Sequence, residues 1–175
     1  MDYLRTPRLS CMAVCPAHFS EILSIYEHNK PLLVLLDQEH DPARLATRFI
    51  RKTNLPAEGN ARQLRNFLVA CADTAQVVGL CSVYQGYPEP RIAYVGELFF
   101  LPDAQHVGLG RELYLALEER FRACSMQAVR VGVGLRNWNA LRFWIRLGFV
   151  RITGMSGDRD FSPQAYAFLE LQKNL

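Results

Sequence analysis

Short apolar runs alternate with longer stretches in which apolar positions recur every three or four residues. Leu9–Val14 is apolar and ends before Pro16, which predicts a strand. In Pro16–Asn29 the positions Phe19, Ile22, Leu23, Ile25 and Tyr26 fall on one helical face, with Pro16 near the first turn. Asp41-Pro42 has the form of an N-cap followed by proline at the first helical position, opening a second helix to about Arg51. Residues 52–64, with Asn54, Pro56, Gly59 and Asn60, form a loop. Asn66–Cys71 and Gln76–Tyr84 are β-prone and close together, the signature of a hairpin.

Further on, Ile92–Leu101 is a third apolar strand of this group, stopped by Pro102. A helix is expected from Gly110 to Cys124, with Leu113, Leu117 and Phe121 on one face. Ala128–Leu135 is a strand, and Asn139–Leu147 is a helix closed by Gly148. Val150–Met155 and Ala165–Leu171 make two final strands around the polar loop Gly157–Gln164. The order is β-α-α-β-β-β-α-β-α-β-β. Hairpins join the early strands and helices join the later ones. This predicts an α/β fold with a mixed, mostly antiparallel sheet flanked by helices, its parallel part lying around Ile92–Leu135. The doubly wound dinucleotide-binding order is excluded, because it requires βαβ units throughout.

The 175 residues are read as one domain over 1–175. Half of them are apolar, which excludes an intrinsically disordered chain. The net charge of +3 is too small to argue for nucleic acid, and no partner of that kind is expected. Arginine supplies 17 of the 20 basic residues, and eight lie between Arg111 and Arg151. That bias is read either as a solvated surface or as a half that receives an anion. Cys11, Cys15, Cys71, Cys81 and Cys124 are odd in number and match no zinc spacing. His18, His28 and His40 have no metal spacing either, so no metal is expected. The cysteines imply a reducing compartment. Met1–Arg5 has no signal-peptide character, and the aliphatic run Leu32–Leu36 is far short of a membrane span. A cytoplasmic protein without a membrane partner is expected.

The most informative stretch runs from Glu97 to Leu113. The strand ends at Pro102, a loop carries Gly108 and Gly110, and a helix begins at once. Glycines there let backbone approach a ligand closely. The first N–H groups of a helix lack internal partners and sit at its positive end, which suits a phosphate. A plain turn is the competing reading. The third glycine of the dinucleotide fingerprint is replaced by Leu113, and no P-loop Lys-Ser/Thr follows. The loop has the form Gln-x-x-Gly-x-Gly from Gln105 to Gly110. About 30 residues on comes Asn137-Trp-Asn-Ala-Leu-Arg-Phe-Trp-Ile-Arg-Leu-Gly-Phe149, an amphipathic helix with a glycine stop.

Together the two segments resemble the GNAT N-acetyltransferase superfamily. Asn137, Ala140, Gly148 and Phe149 match its second motif, and Trp144 stands where that family usually has tyrosine. The resemblance implies a GNAT-type sheet, acetyl-CoA as donor, and a small-molecule or peptide amine as acceptor. It also allows a homodimer. By the same resemblance, the amides of Gln105, His106, Val107, Gly108, Leu109, Gly110 and Arg111 cradle the pyrophosphate of coenzyme A. Leu98, Phe99 and Phe100 meet the pantetheine arm along a strand that splays from its neighbour. Asn137 and Trp144 approach from the other side. Glu97 is the carboxylate of the central strand and the candidate for binding or deprotonating the amine; a solvent-facing glutamate is the competing reading. Tyr94 is the alternative catalytic residue, because a β-bulge in this strand would alter which side chain faces the cleft. Tyr114 and Tyr166 are further hydroxyls without positional support. An indole does not ionise near neutral pH, so Trp144 cannot replace a tyrosine acid. That departure keeps open a non-catalytic acyl-CoA sensor or interaction module. The acidic residues Asp37, Glu39, Asp41, Asp158 and Asp160 are read as solvated loops or as flanks of the acceptor cleft.

Overall fold

A computed structural model describes residues 4–36, 40–56, 59–160, 162 and 165–175. Among these residues, seven strands form one sheet in the order β1-β2-β3-β4-β5-β7-β6. They are β1 (Leu9–Ala13), β2 (Leu64–Cys71), β3 (Val77–Gln85), β4 (Ile92–Phe100), β5 (Ala128–Gly134), β6 (Arg151–Gly157) and β7 (Ala167–Asn174). Of these strands only β4 and β5 pair in parallel; every other pair is antiparallel. The mixed, mostly antiparallel sheet is as the sequence predicts.

The helices are α1 (Phe19–His28), α2 (Lys30–Leu36), α3 (Pro42–Arg51), α4 (Leu109–Ala123) and α5 (Trp138–Arg146). Asp41 caps α3 by accepting from the amides of Ala43 (2.9 Å) and Arg44 (3.4 Å), an interaction worth roughly 1 kcal/mol. The sequence predicts two helices before β2, and the described residues hold three. The extra one, α2, starts directly after the α1 cap Asn29, with Pro31 in its first turn. Its run Pro-Leu-Leu-Val-Leu-Leu is apolar all round, so it carries no helical period to read.

Each face of the sheet has its own core. Ile22, Ile25, Tyr26, Phe49, Leu68 and Leu80 pack under α1–α3 on one face. Leu113, Leu117, Phe121, Val83, Val95 and Val129 pack under α4 and α5 on the other.

Two irregularities in β4 shape the centre of the sheet. Ser82 faces Glu97 and Val83 faces Val95, so Gly96 is an extra residue, a β-bulge. A Cβ on Gly96 would lie 2.8 Å from Ser82 Oγ, so the hydroxyl would have to shift to admit one. The bulge also switches the alternation of side chains. Ala93 and Val95 point into the α4–α5 core, but after the bulge Leu98 and Phe100 do so. Glu97 and Phe99 are thereby turned to the α1–α3 face. The second irregularity is the end of pairing between β4 and β5. Their ladder runs only from Ile92↔Ala128 to Val95↔Val131. Beyond it, Glu97–Phe100 stay on β3 while Gly132–Gly134 stay on β7. The two strands diverge and leave a wedge.

Candidate active site

The wedge opens into a cavity of about 850 Å³. Its walls are Val95–Phe100 of β4 and Val131–Gly134 of β5. The loop before α4 contributes Gln105, His106 and Gly108; α4 adds Gly110 and Arg111. Asn137, Arg142, Trp144 and Arg146 line it from α5 and its cap, and Tyr26, Leu36, Arg48 and Asn54 from the α1–α3 side. The volume suits an extended organic molecule plus a small second reactant.

At one end the start of α4 meets the arginines of the α4–α5 side. His106 and Gly108 both have left-handed backbone, at φ 60° and 87°. Gly108 is the residue before α4, and no side chain caps that helix. Its leading amides have no side-chain acceptor and stand at the positive end of the helix, where Gly108 and Gly110 line the cavity. Arg111, Arg142 and Arg146 line the same side. The loop is fixed from behind. Arg8 donates through Nε to Glu112 Oε2 (2.6 Å) and through Nη1 to the carbonyl of Val107 (3.1 Å). Glu112 Oε1 also accepts from Thr6 Oγ1 (2.5 Å) and the Arg8 amide (2.9 Å). Burial pushes the Glu112 carboxyl up, but these donors outweigh it and hold the pKa below the usual value.

The Gln105 side chain turns inward. It donates to the carbonyl of Phe100 (2.8 Å) and to Asn29 Oδ1 (3.1 Å), while Asn29 donates to Phe100 as well (3.0 Å). This ties the end of β4 to the end of α1. Asn137 Oδ1 accepts from the Ala140 amide (3.1 Å) and caps α5. Trp144 lines the cavity but is 7% exposed, with its ring edge-on to Tyr114, Phe143 and Phe149 at 4.8–5.5 Å.

The other end centres on Glu97. Tyr26 Oη donates to Oε2 (2.5 Å), and Asn54 Nδ2 donates to Oε1 (2.8 Å). Asn54 is itself held by Asn66 Nδ2 (3.0 Å), which also donates to the Phe49 carbonyl (2.6 Å). Burial raises the Glu97 pKa, opposed by the two donors and the charge of Arg48. A carboxylate with a raised pKa that keeps both oxygens hydrogen-bonded is a fixed, strengthened base. Burial likewise pushes the Tyr26 hydroxyl well above its ordinary value, with the Glu97 charge adding to it.

Most of the sequence-named residues thus meet here: Glu97, Leu98, Phe99, Phe100, Gln105, His106, Gly108, Gly110, Arg111, Asn137 and Trp144. Three stand apart from the lining. Leu109 is buried in the α4 core, Val107 is exposed with its carbonyl on Arg8, and Tyr94 stacks edge-on to Tyr87 at 5.6 Å. The Tyr94 hydroxyl lies over Gly132, where a Cβ would meet it at 2.8 Å. Asp41 serves as the α3 cap, and Asp158 and Asp160 border a separate surface depression. Asp37 and Glu39 lie outside the described residues. Sequence reasoning misses Tyr26, Arg48, Asn54 and the Arg8–Glu112 clamp. Asn66, a polar residue inside an apolar strand, is the one available signal.

Comparison with known proteins bears on the family and the fold. A model of the acetyltransferase (GNAT) family matches residues 22–149. No curated protein matches the chain in sequence. Among solved structures, an acetyltransferase from Thermus thermophilus is similar at 20% identity and a TM-score of 0.70, covering 99% of both chains. The Salmonella typhimurium acetyl transferase that modifies the N-terminal serine of ribosomal protein L7/L12 gives 15% identity and a TM-score of 0.77, covering 99% of both chains. The microcin C7 self-immunity acetyltransferase, solved with acetyl-CoA and AMP, gives 10% identity and a TM-score of 0.71. That alignment covers 97% of this chain and 94% of the other. At these identities the likeness is one of fold.

Proposed function

Since the chain belongs to the GNAT acetyltransferase family, we propose that it is an N-acetyltransferase that passes an acetyl group directly from acetyl-CoA to an amine. The observation that carries this reading is the wedge between β4 and β5, with an uncapped helix end at one side and a hydrogen-bonded carboxylate at the other.

The residues present fit the donor. The left-handed loop at His106 and Gly108 and the first amides of α4 would hold its pyrophosphate, with Arg111 adding charge. The edge of β4 at Leu98–Phe100 would hold the pantetheine arm, and one of its amides would donate to the thioester carbonyl oxygen as negative charge develops there. Asn137 and Trp144 would form the opposite wall. Acetyl-CoA supplies the acetyl group in activated form, as a thioester.

The chain's own chemistry is positioning and proton removal. The two walls of the wedge bring the reactants together, which lowers the entropic cost of their encounter. Glu97 takes the proton that the attacking amine must lose, directly or through a water. Tyr26 and Asn54 keep the carboxylate aimed while it does so. Among the described residues no cysteine or serine lines the cavity, which favours direct transfer over an acyl-enzyme. Tyr94 is a second candidate from the same strand, placed nearer Gly132.

The test is a screen of amines that follows release of free thiol from acetyl-CoA. Turnover that Glu97→Gln lowers at least tenfold is expected; acetyl-CoA binding without turnover on any amine overturns the reading. That second outcome describes a non-catalytic acyl-CoA sensor, a reading favoured by Trp144 at the family's tyrosine position.

A further inference from the structure

The cations lining the cavity are divided between its ends. Arg111, Arg142 and Arg146 belong to the α4–α5 side, where the donor's phosphates would lie. Arg48 belongs to the α1–α3 side, on the last turn of α3. It is exposed and makes no ion pair with a described residue; the ion pairs among those residues involve Arg8, Arg122, Arg130 and Lys173. Its charge nevertheless reaches Glu97 and Tyr26, opposing the rise in both their pKa values. A guanidinium without an ion-pair partner among the described residues and the half-buried carboxylate of Glu97 line one space. Beside the polar groups of Tyr26, Asn29 and Asn54, that wall presents Leu32, Leu33, Leu36 and Leu45. A Cβ on Gly134 would touch Leu36 at 3.6 Å and Phe168 at 3.9 Å, so α2 closes over the end of β5 there.

We propose that the acceptor is an amine that also carries a carboxylate and an apolar side chain, as a free apolar amino acid does, with Arg48 pairing the carboxylate and Glu97 facing the amine. This rests on the acetyltransferase reading above. Guanidinium and carboxylate match in a two-toothed, charge-assisted hydrogen bond, whereas an amide or a peptide linkage offers no charge to Arg48. The arrangement selects against a peptide N-terminus, whose carbonyl is already in amide linkage.

The experiment compares L-leucine, L-methionine and L-phenylalanine with their carboxamides and with 3-methylbutylamine, in the wild type and in Arg48→Gln. The wild type should favour each free acid over its amide by about tenfold or more in kcat/KM, chiefly through KM. In Arg48→Gln that ratio should collapse toward one, and Arg48→Lys should restore part of it. Amides or 3-methylbutylamine acetylated as well as the free acids overturn the proposal. So does a ratio that survives in Arg48→Gln. A binding arm keeps the two readings separable. N-acetyl-L-leucine and N-acetyl-L-leucinamide are titrated calorimetrically into protein holding coenzyme A. If no amine turns over, acetyl transfer fails as a reading. The role of Arg48 then stands on tighter binding of the acid that Arg48→Gln abolishes, and falls if both ligands bind alike.

Discussion

The Tyr26 hydroxyl donates to Glu97 Oε2 across 2.5 Å, although 71 positions separate the two residues. One comes from the buried face of α1 and the other from the strand position just past the Gly96 bulge. Neither is recognisable as half of a pair from its own surroundings.

Removing that donor should move the pH profile. The hydrogen bond from Tyr26 lowers the Glu97 pKa against the rise caused by burial. In Tyr26→Phe the pKa rises further, so the fraction of ionised base at a given acidic pH falls. The acidic limb of kcat/KM should shift to higher pH relative to the wild type. A limb that stays in place means Glu97 is not the group being titrated.

Glu97→Gln removes the base and should cut kcat by roughly 10²- to 10⁴-fold. Its affinity for acetyl-CoA, measured calorimetrically, should change little. Stability gives an independent check. The folded protein holds the Glu97 proton more tightly than the unfolded chain does. The group's contribution is therefore full below the ordinary carboxylate pKa and declines as pH rises through the raised one. Glutamine does not ionise, so the Tm of the variant minus that of the wild type should grow more positive from about pH 4 to about pH 7.

Gly96→Ala places a methyl group 2.8 Å from the hydroxyl of buried Ser82. We expect a loss of about 1–3 kcal/mol in urea unfolding. Adding Ser82→Ala removes the oxygen in the way, so the double variant should recover most of that loss. Plain additivity of the two changes is the result that refutes steric conflict at the bulge.

Glu112→Ala frees Arg8 and Thr6 from the first turn of α4. Because Arg8 is half exposed, the effect on global stability should stay below about 1 kcal/mol. The carbonyl of Val107 loses its anchor, however, and acetyl-CoA affinity should fall severalfold in calorimetry. Unchanged affinity means that the loop holds its shape without the clamp.

Trp144→Tyr should lower stability by about 1–3 kcal/mol, since the indole fills a cluster with Tyr114, Phe143 and Phe149. No gain in kcat is expected. A clear rise in kcat shows instead that a hydroxyl at this position reaches the leaving thiol.

What can be read in the sequence follows from how local each signal is. The loop Gln105–Gly110 and the helix after Asn137 are contiguous, and their chemistry lies in backbone geometry that glycine and proline announce. The apolar run of β4 marks it as a strand, and Glu97 stands out as the carboxylate within it. The bulge is only an option at that level, because Gly96 fits a regular strand equally well until its partner Ser82 is known. The residues around Glu97 come from α1, the loop after α3, and β2. Tyr26 reads as core because its ring is core, packed edge-on against Phe49 and Phe99 at 6.4 and 5.9 Å. Asn54 sits in a loop whose composition says only that it is a loop. Helix α2 carries too many leucines to show a face.

The divergence of β4 from β5 also bears on how the sheet holds together. Among the described residues, four residue pairs, Ile92↔Ala128 to Val95↔Val131, are the whole strand ladder between the panel β1–β4 and the panel β5–β7. An extended molecule lying in the wedge would supply rungs that the chain itself omits, stitching the panels along their open margins. Occupancy should then stiffen the far ends of both strands together, so that amide hydrogen exchange slows in concert at Leu98–Phe100 and Gly132–Gly134, two stretches with no ladder between them.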